Sequence, residues 1–271
     1  MSAATFPSLY HRPLPEAQVP FSSEEGRRLF REALADGTME GFFPLIEQFH
    51  TQADPAFCGL ASLVVALNAL GIDPGRLWRG PWRWFSEELL DCCTPLEQVR
   101  LAGVSMTELA CLARCNGADA ALRHADDHGI EELRTAVERA ARAGTDDVVI
   151  ASYSRAALGQ TGSGHFSPLG GYHRGRDLVL VLDVARFKYP PHWVPLASLR
   201  EAMLDPDPAM VRARGFIELR RRGVPSSLAY FISCREGIAI GGTLSELIDE
   251  SRAALRAAQP RTVKELSLIH I

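Results

Sequence analysis

Apolar residues recur at helical spacing over Leu60, Leu63, Val64, Leu67 and Leu70, a stripe that Gly71 and Pro74 close. Asp54-Pro55 forces an extended or turn entry, because a proline disfavours a helical residue before it. Cys58 therefore falls in the first turn of a largely buried helix. Three further stripes predict helices. One follows a capping box from Ser22 to Glu25, turns Leu29, Phe30, Ala33 and Leu34 inward, and stops at Gly37. Another is capped by Ser105 and Glu108, carries Leu109, Leu112 and Ala113, and stops at Asn116-Gly117. The third runs from Ile130 to about Ala143, with Leu133, Val137 and Ala140 inward and Gly144 beyond. Residues 1–20, with four prolines, read as an extended strap, and Gly41–Phe49 as a short apolar connection.

From Asp147 the pattern shifts to strands. Val148–Tyr153 is short, apolar and β-branched, as a buried strand is. A polar loop, Ser154–Gly164, leads into His165–Tyr172, then a glycine-bearing turn, then Asp177–Asp183: a hairpin. With the turn centred near position 174, His165 and Asp183 fall opposite one another, in side-chain reach. Gly170 and Gly171 are placed to introduce a bulge that would shift this register by one. Pro190–Pro195 reads as a rigid surface connection and Leu196–Met203 as a short helix. Asp205–Pro208 reads as a loop, Gly215–Leu219 and Leu228–Cys234 as strands, and Leu244–Ala258 as a peripheral helix. The class is α+β: a helical half carrying Cys58, packed on an antiparallel sheet half carrying His165 and Asp183, with a cleft between.

Composition narrows the function without naming it. The chain has 271 residues, 46% hydrophobic and 23% charged, enough to bury a core without disulfide staples. A net charge of −4 gives no basic field for nucleic acid or an acidic membrane surface. The longest apolar run is too short to span a bilayer, and no secretory signal opens the chain. Six cysteines without such a signal read as reduced thiols, and the cytoplasm as the compartment. Trp78, Trp82 and Trp84 lie among Arg76, Arg79 and Arg83; with no wider basic field around them, packing under snorkelling arginines is the expected role. Cys92-Cys93 and the i, i+4 pair Cys111 and Cys115 are weak metal candidates, since a structural zinc site usually has four tightly spaced ligands.

Four residues carry candidate chemistry. Unpaired N–H groups at a helix start favour a thiolate at Cys58, the nucleophile. His165 takes its proton and later protonates a leaving amine, and Asp183 orients the imidazole. Gln52, with the Cys58 backbone N–H, binds the developing oxyanion. Taken singly, each has a plainer role: small core packing, a strand start, a turn residue, a solvated amide. The chain order Gln, Cys, His, Asp resembles papain-like cysteine peptidases, although the run around Cys58, P-A-F-C-G-L-A-S, differs from papain's own.

Longer strings are similar to the catalytic domain of the phytochelatin synthase family, from about Ser8 to about Cys234. They are G-T-M-E-G-F-F (37–43), P-A-F-C-G-L-A-S (55–62), I-D-P-G-R (72–76), G-P-W-R-W-F (80–85) and L-D-C-C (90–93). They continue in Q-T-G-S-G-H-F-S-P-L-G-G-Y (160–172) and L-D-V-A-R-F-K-Y-P-P-H-W-V-P-L (182–196). The resemblance implies a triad of Cys58, His165 and Asp183 with Gln52 as oxyanion residue. It implies cleavage of glycine from glutathione, a γ-glutamylcysteinyl thioester on Cys58, and transfer to glutathione or a growing phytochelatin. Asp207 and Arg214 match the positions that hold the γ-glutamyl end, one for the ammonium and one for the carboxylate. Gly164 joins them as a substrate contact, and Arg155, Arg186, Lys188 and Tyr189 match positions near the acceptor. No organic cofactor is implied. Cd²⁺ or Zn²⁺ activates, arriving as a metal–glutathione thiolate. Cys92, Cys93, Cys111 and Cys115 match cysteines of eukaryotic-type members.

By the same resemblance, residues 1–221 form the catalytic domain. Residues 222–271 form an extension shortened relative to plant-type members, whose cysteine-rich region is missing here. Partners are glutathione, phytochelatin oligomers and heavy-metal ions, with a homodimer left open, and the role is metal detoxification. Two alternatives remain: a peptidase that only removes glycine from glutathione, and, in another class, a thiol-rich metal-binding protein.

Overall fold

The computed structural model describes residues 11–208 and 210–223. The expected strand at Leu228–Cys234 and helix at Leu244–Ala258 lie outside the described residues. Seven α-helices are present among these residues: α1 (Glu24–Ala35), α2 (Phe42–Gln48), α3 (Cys58–Ala69), α4 (Leu96–Ala102), α5 (Met106–Cys115), α6 (Ile130–Ala140) and α7 (Leu196–Leu204). The strands are β1 (Val19–Pro20), β2 (Ala118–His124), β3 (Asp147–Ser154), β4 (Gly164–His173), β5 (Leu178–Val181), β6 (His192–Pro195), β7 (Pro206–Asp207), β8 (Arg212–Ala213) and β9 (Gly215–Arg221). Seven of them form one sheet in the order β1-β6-β5-β4-β3-β9-β2, antiparallel throughout. β7 and β8 make a separate two-stranded ribbon. The fold is α+β.

Side chains alternate between the two faces of a strand, so an apolar run feeds two cores. Val148, Ile150, Leu178, Leu180 and Ile217 pack with residues of α1, α2, α3 and α5. Their neighbours Val149, Ala151, Val179, Val181 and Phe216 pack with α6 and α7. The Cys58 helix does rest on the sheet, but helices cover the other face as well, a layer that the two-halved picture left out. α3 is apolar nearly all round: Gly59 through Leu67 are all buried.

Several sequence expectations change. Ser23, not Ser22, caps α1, its side chain accepting from the Gly26 N–H at 3.0 Å. Gly41–Phe49 contains the helix α2, whose Phe42 and Leu45 are buried. β2 was not foreseen, because Ala118–His124 lacks the β-branched signature; it forms by pairing along β9. Pro190–Pro195 is no surface connection: His192, Trp193 and Val194 are buried in β6, between β1 and β5. Asp205–Pro208 contributes β7 to the ribbon. The Trp78–Trp82 segment is a tight turn, closed by Trp78 N–H to the Trp82 carbonyl at 2.8 Å, with Gly80 at φ 52°. It leaves Trp82 72% exposed instead of packed; the arginines turn to carboxylates, Arg76 to Asp91 at 2.8 Å and Arg83 to Asp73 at 2.8 Å.

The hairpin register also differs. Leu169 pairs with Val181 and Tyr172 with Val179, with a bulge between Leu169 and Gly171. The turn, Arg174–Arg176 followed by left-handed Asp177 at φ 51°, is longer than a two-residue turn, so the hairpin centre moves past 174. The Leu169–Val181 register carried onward puts Asp183 across from Ser167, diagonal to His165. The bulge also reverses the facing: Leu169 and Tyr172, three apart, both reach the α6/α7 core.

Gly215 begins β9 where a side chain has no room. A Cβ there would stand against the Arg123 carbonyl, which is backbone and cannot swing aside. Gly215→Ala is expected to lower stability by about 1–3 kcal/mol, the usual cost of overpacking, read from the denaturant midpoint.

Candidate active site

One end of the sheet gathers the chemistry. β3 ends there and runs on into Arg155; β4 begins there with Gly164 and His165; β5 ends there, two residues before Asp183. β6 begins there with His192, and β9 with Gly215, preceded by Arg214. Cys58 is the first residue of α3, and the Asp54–Pro55 turn sets that start: Phe57 N–H donates to the Asp54 carbonyl at 2.9 Å and Ala56 N–H to Asp54 Oδ1 at 3.0 Å.

Asp183 is fully buried. Its Oδ1 lies 2.9 Å from His165 Nε2 and accepts the Ala185 N–H at 2.9 Å. Arg155 Nη2 lies 2.9 Å from the same oxygen and 2.8 Å from Oδ2. Burial alone would raise this carboxyl, but the His165 charge and hydrogen bond and the Arg155 charge hold it far below the ordinary carboxylate range. His165 is shaped by the same contact. Burial disfavours its imidazolium, yet Asp183 outweighs burial and Arg155, and the pKa rises. At Cys58, burial pushes the thiol up; the charge and hydrogen bond of His165, the Phe166 N–H and the Arg155 charge pull it down, and the net shift is downward. A thiolate–imidazolium pair is the chemical state this arrangement favours.

A second tier of polar groups fixes Arg155. Its Nη1 donates to Gln160 Oε1. Gln160 Nε2 donates to Gln18 Oε1 at 2.8 Å and meets His192 Nε2 at 3.0 Å. His192 Nδ1 lies 2.8 Å from the Pro190 carbonyl, which only accepts, so the proton sits on Nδ1 and Nε2 is the acceptor. Burial, with Arg155 and His165 nearby, lowers His192, consistent with a neutral ring. Sequence reasoning named neither Gln18, Gln160 nor His192 as functional. Their signal was a polar residue inside an otherwise apolar or Pro-rich string, too weak without the fold.

The other candidates are placed as follows. Gln52 is buried, and its Nε2 donates to the Asp54 and Pro55 carbonyls at 2.8 and 2.9 Å, while Oε1 has no partner among the described residues. Arg214 is buried beside Gly164, where a Cβ would lie 3.3 Å from its Nε and Nη2; its Nη1 donates to the Asp205 and Pro206 carbonyls. Asp207 lies in the β7–β8 ribbon, paired with Arg212. Tyr189 is buried under Arg155, 5.0 Å from ring centre to guanidinium, and its hydroxyl accepts the Thr161 N–H at 2.8 Å. Lys188 stands over the same ring at 6.0 Å, its pKa lowered by burial and by Arg155. Arg186 is exposed and lies 5.2 Å above the Phe49 ring.

The cysteines correct one reading. Cys92 and Cys115 form a disulfide, their Cα atoms 6.7 Å apart, so the six are not all thiols. Helix α5 delivers Cys115 to the Cys92–Cys93 loop, which its spacing from Cys111 did not foretell.

Fold and cluster together define an α+β protein with a lowered-pKa cysteine beside a histidine–aspartate pair. A family model described as phytochelatin synthase matches residues 9–216. The chain belongs to the phytochelatin synthase family. It is 54% identical over 231 residues to glutathione γ-glutamylcysteinyltransferase 1 of Triticum aestivum, covering 85% of this chain and 46% of that one. It is 51% identical to the Arabidopsis thaliana protein of the same name, over 84% of this chain and 47% of that one. The glutathione γ-glutamylcysteinyltransferase of Schizosaccharomyces pombe is 42% identical, over 80% and 52%. The chain thus spans about half the length of the curated relatives it matches.

The site makes a direct prediction about Cys58. Its alkylation rate, followed by mass spectrometry of the Cys58 peptide, should rise with a midpoint below that of an ordinary thiol. Asp183→Asn removes the anion that favours the imidazolium, so less positive charge faces the thiolate; the midpoint should move up by about one pH unit or more. An unchanged midpoint would dissociate Asp183 from the pair.

Proposed function

We propose that the chain is a γ-glutamylcysteine dipeptidyltransferase that makes phytochelatins from glutathione through a thioester on Cys58. The observation that carries this is the His165–Asp183 contact of 2.9 Å beside Cys58, in a member of this family. The Cys58 thiolate attacks the cysteinyl–glycine carbonyl of glutathione, giving a tetrahedral oxyanion. Backbone N–H at the start of α3 faces it. Gln52 contributes its amide by releasing one of its two carbonyl partners. The intermediate collapses as the C–N bond breaks and His165 gives its proton to the departing glycine amine. The α-amine of a second glutathione then attacks the thioester, His165 takes its proton, and the Cys58 thiolate leaves. The layout is papain-like in these roles.

Arg214 and Asp207 hold the α-carboxylate and α-ammonium of the donor's γ-glutamyl end, with Gly164 keeping the approach to Arg214 open. Arg155 has both terminal nitrogens committed to Gln160 and Asp183, which suits a positioning role. Lys188, Tyr189 and Arg186 remain acceptor-side groups. Soft cations enter as metal–glutathione thiolates, substrates in their own right, and no organic cofactor takes part. We assign residues 1–221 to this catalytic unit, 222–271 to an extension, and the cytoplasm as its compartment. No α-helix among the described residues is long and apolar enough to cross a membrane.

Purified chain with glutathione and Cd²⁺ should yield a mass ladder spaced by γ-glutamylcysteine units. Cys58→Ala should abolish both the ladder and glycine release. Free γ-glutamylcysteine and glycine without a ladder would instead show a deglycinating peptidase, in which water replaces the acceptor amine. Glycine release surviving Cys58→Ala would overturn the nucleophile assignment. Asp183→Asn should lower kcat by roughly 10²–10⁴-fold, the range of a general acid–base contribution.

A further inference from the structure

Beside Gln52, and unused in the mechanism above, a carboxylate faces an imidazole. Glu87 opens a short 3₁₀ turn, Glu87–Leu89, and is buried. Its Oε1 accepts the Ala53 N–H at 3.2 Å and lies 3.2 Å from Nε2 of half-buried His50. The other ring nitrogen of His50, Nδ1, lies 3.3 Å from the Gln48 carbonyl. A carboxylate and a carbonyl both only accept, so an imidazolium alone satisfies the two contacts together. We propose that Glu87, acting through His50 and Ala53, is a positioning residue for the Gln52 amide.

The contacts bracket Gln52. One carboxylate oxygen holds the ring two residues before it and the backbone N–H one residue after it. Between them the Gln52 N–H donates to the Val184 carbonyl at 3.0 Å, next to Asp183. Glu87 is anchored in turn to the helix that Cys58 begins. Asn68 of α3 donates to the Phe85 carbonyl at 3.1 Å and accepts the Phe85 N–H at 3.2 Å, with Phe85 fully buried. Carboxylate, Gln52 segment and nucleophile helix therefore share one frame. The charges agree with the geometry. Burial would raise the Glu87 carboxyl, but His50 and the Ala53 N–H hold it below its ordinary value. The hydrogen bond from Glu87 raises His50, against burial and the Arg186 charge.

The role assigned to Glu87 rests on reading Gln52 as the oxyanion donor. Such a donor works only where negative charge develops, so its misplacement weakens transition-state binding and spares substrate binding. Gln52 must release one of two carbonyls to turn toward the oxyanion, and a segment pinned on both sides lets the side chain move while its Cα stays in place.

A double-mutant cycle on the full-length chain, read as glycine release from glutathione with Cd²⁺ present, tests this. Gln52→Ala sets the ceiling, since removing one oxyanion donor costs roughly 10²–10³-fold in kcat. Glu87→Ala should lower kcat by about tenfold or more without exceeding that ceiling, and leave KM within about twofold. Added to Gln52→Ala, it should cost less than about twofold further, because no amide remains to be misplaced. Glu87→Gln keeps an oxygen for the Ala53 N–H and should recover most of the kcat lost in Glu87→Ala. The same variant should bring the His50 titration midpoint, followed by proton NMR, down. Should Glu87→Ala fail to fold, His50→Ala takes its place in the cycle with the same expected non-additivity. An unchanged kcat in Gln52→Ala would remove the oxyanion reading and this role with it. Loss in Gln52→Ala beside an unchanged kcat in Glu87→Ala, or two losses that multiply, would overturn the positioning role alone.

Discussion

The Asp183 carboxylate is the constraint on which the site depends. A charge removed from water is tolerated only when paired and hydrogen-bonded. Here an imidazole, a guanidinium and a backbone N–H share the task. Each of those partners must in turn be held, which is why Arg155 leans on Gln160, Gln160 on Gln18 and His192, and His192 on the Pro190 carbonyl. The polar network therefore runs from buried Gln18, just before β1, to Cys58, and buried charge is what obliges it to be complete.

The sheet supplies the convergence. Antiparallel neighbours bring the end of one strand beside the start of the next, so residues from five strand ends meet at one end of the sheet. Helices α1–α5 on one face and α6–α7 on the other cover the sheet, and the buried polar groups gather at this one end of it.

Much of this was legible beforehand, for identifiable reasons. The α3 stripe, the Ser105 cap and the β-branched run of β3 are strong local signals, and each forms where its pattern puts it. That Cys58, His165 and Asp183 come together was suggested by chain order and sharpened by resemblance. The misses have a common cause: they turn on tertiary context. β2 exists because β9 offers it a partner, and β6 is buried despite its prolines because β1 and β5 flank it. Trp82 protrudes because the turn at Gly80 closes on itself. The meeting of Cys115 with Cys92 and Cys93 is a contact between distant segments that spacing does not encode. His165 and Asp183 do meet, along a diagonal instead of the straight rung that hairpin arithmetic suggested.

The bulge in β4 gives that strand two halves in opposite phase. The half before it answers to β3 and carries the imidazole; the half after it answers to the turn and to the packing of Tyr172. Because one extra residue sits between them, the facing of one half is set independently of the other. Evolution can then lengthen, shorten or recharge the Arg174–Asp177 turn while the imidazole keeps its orientation, much as a slip joint lets two ends of a pipe be fitted separately.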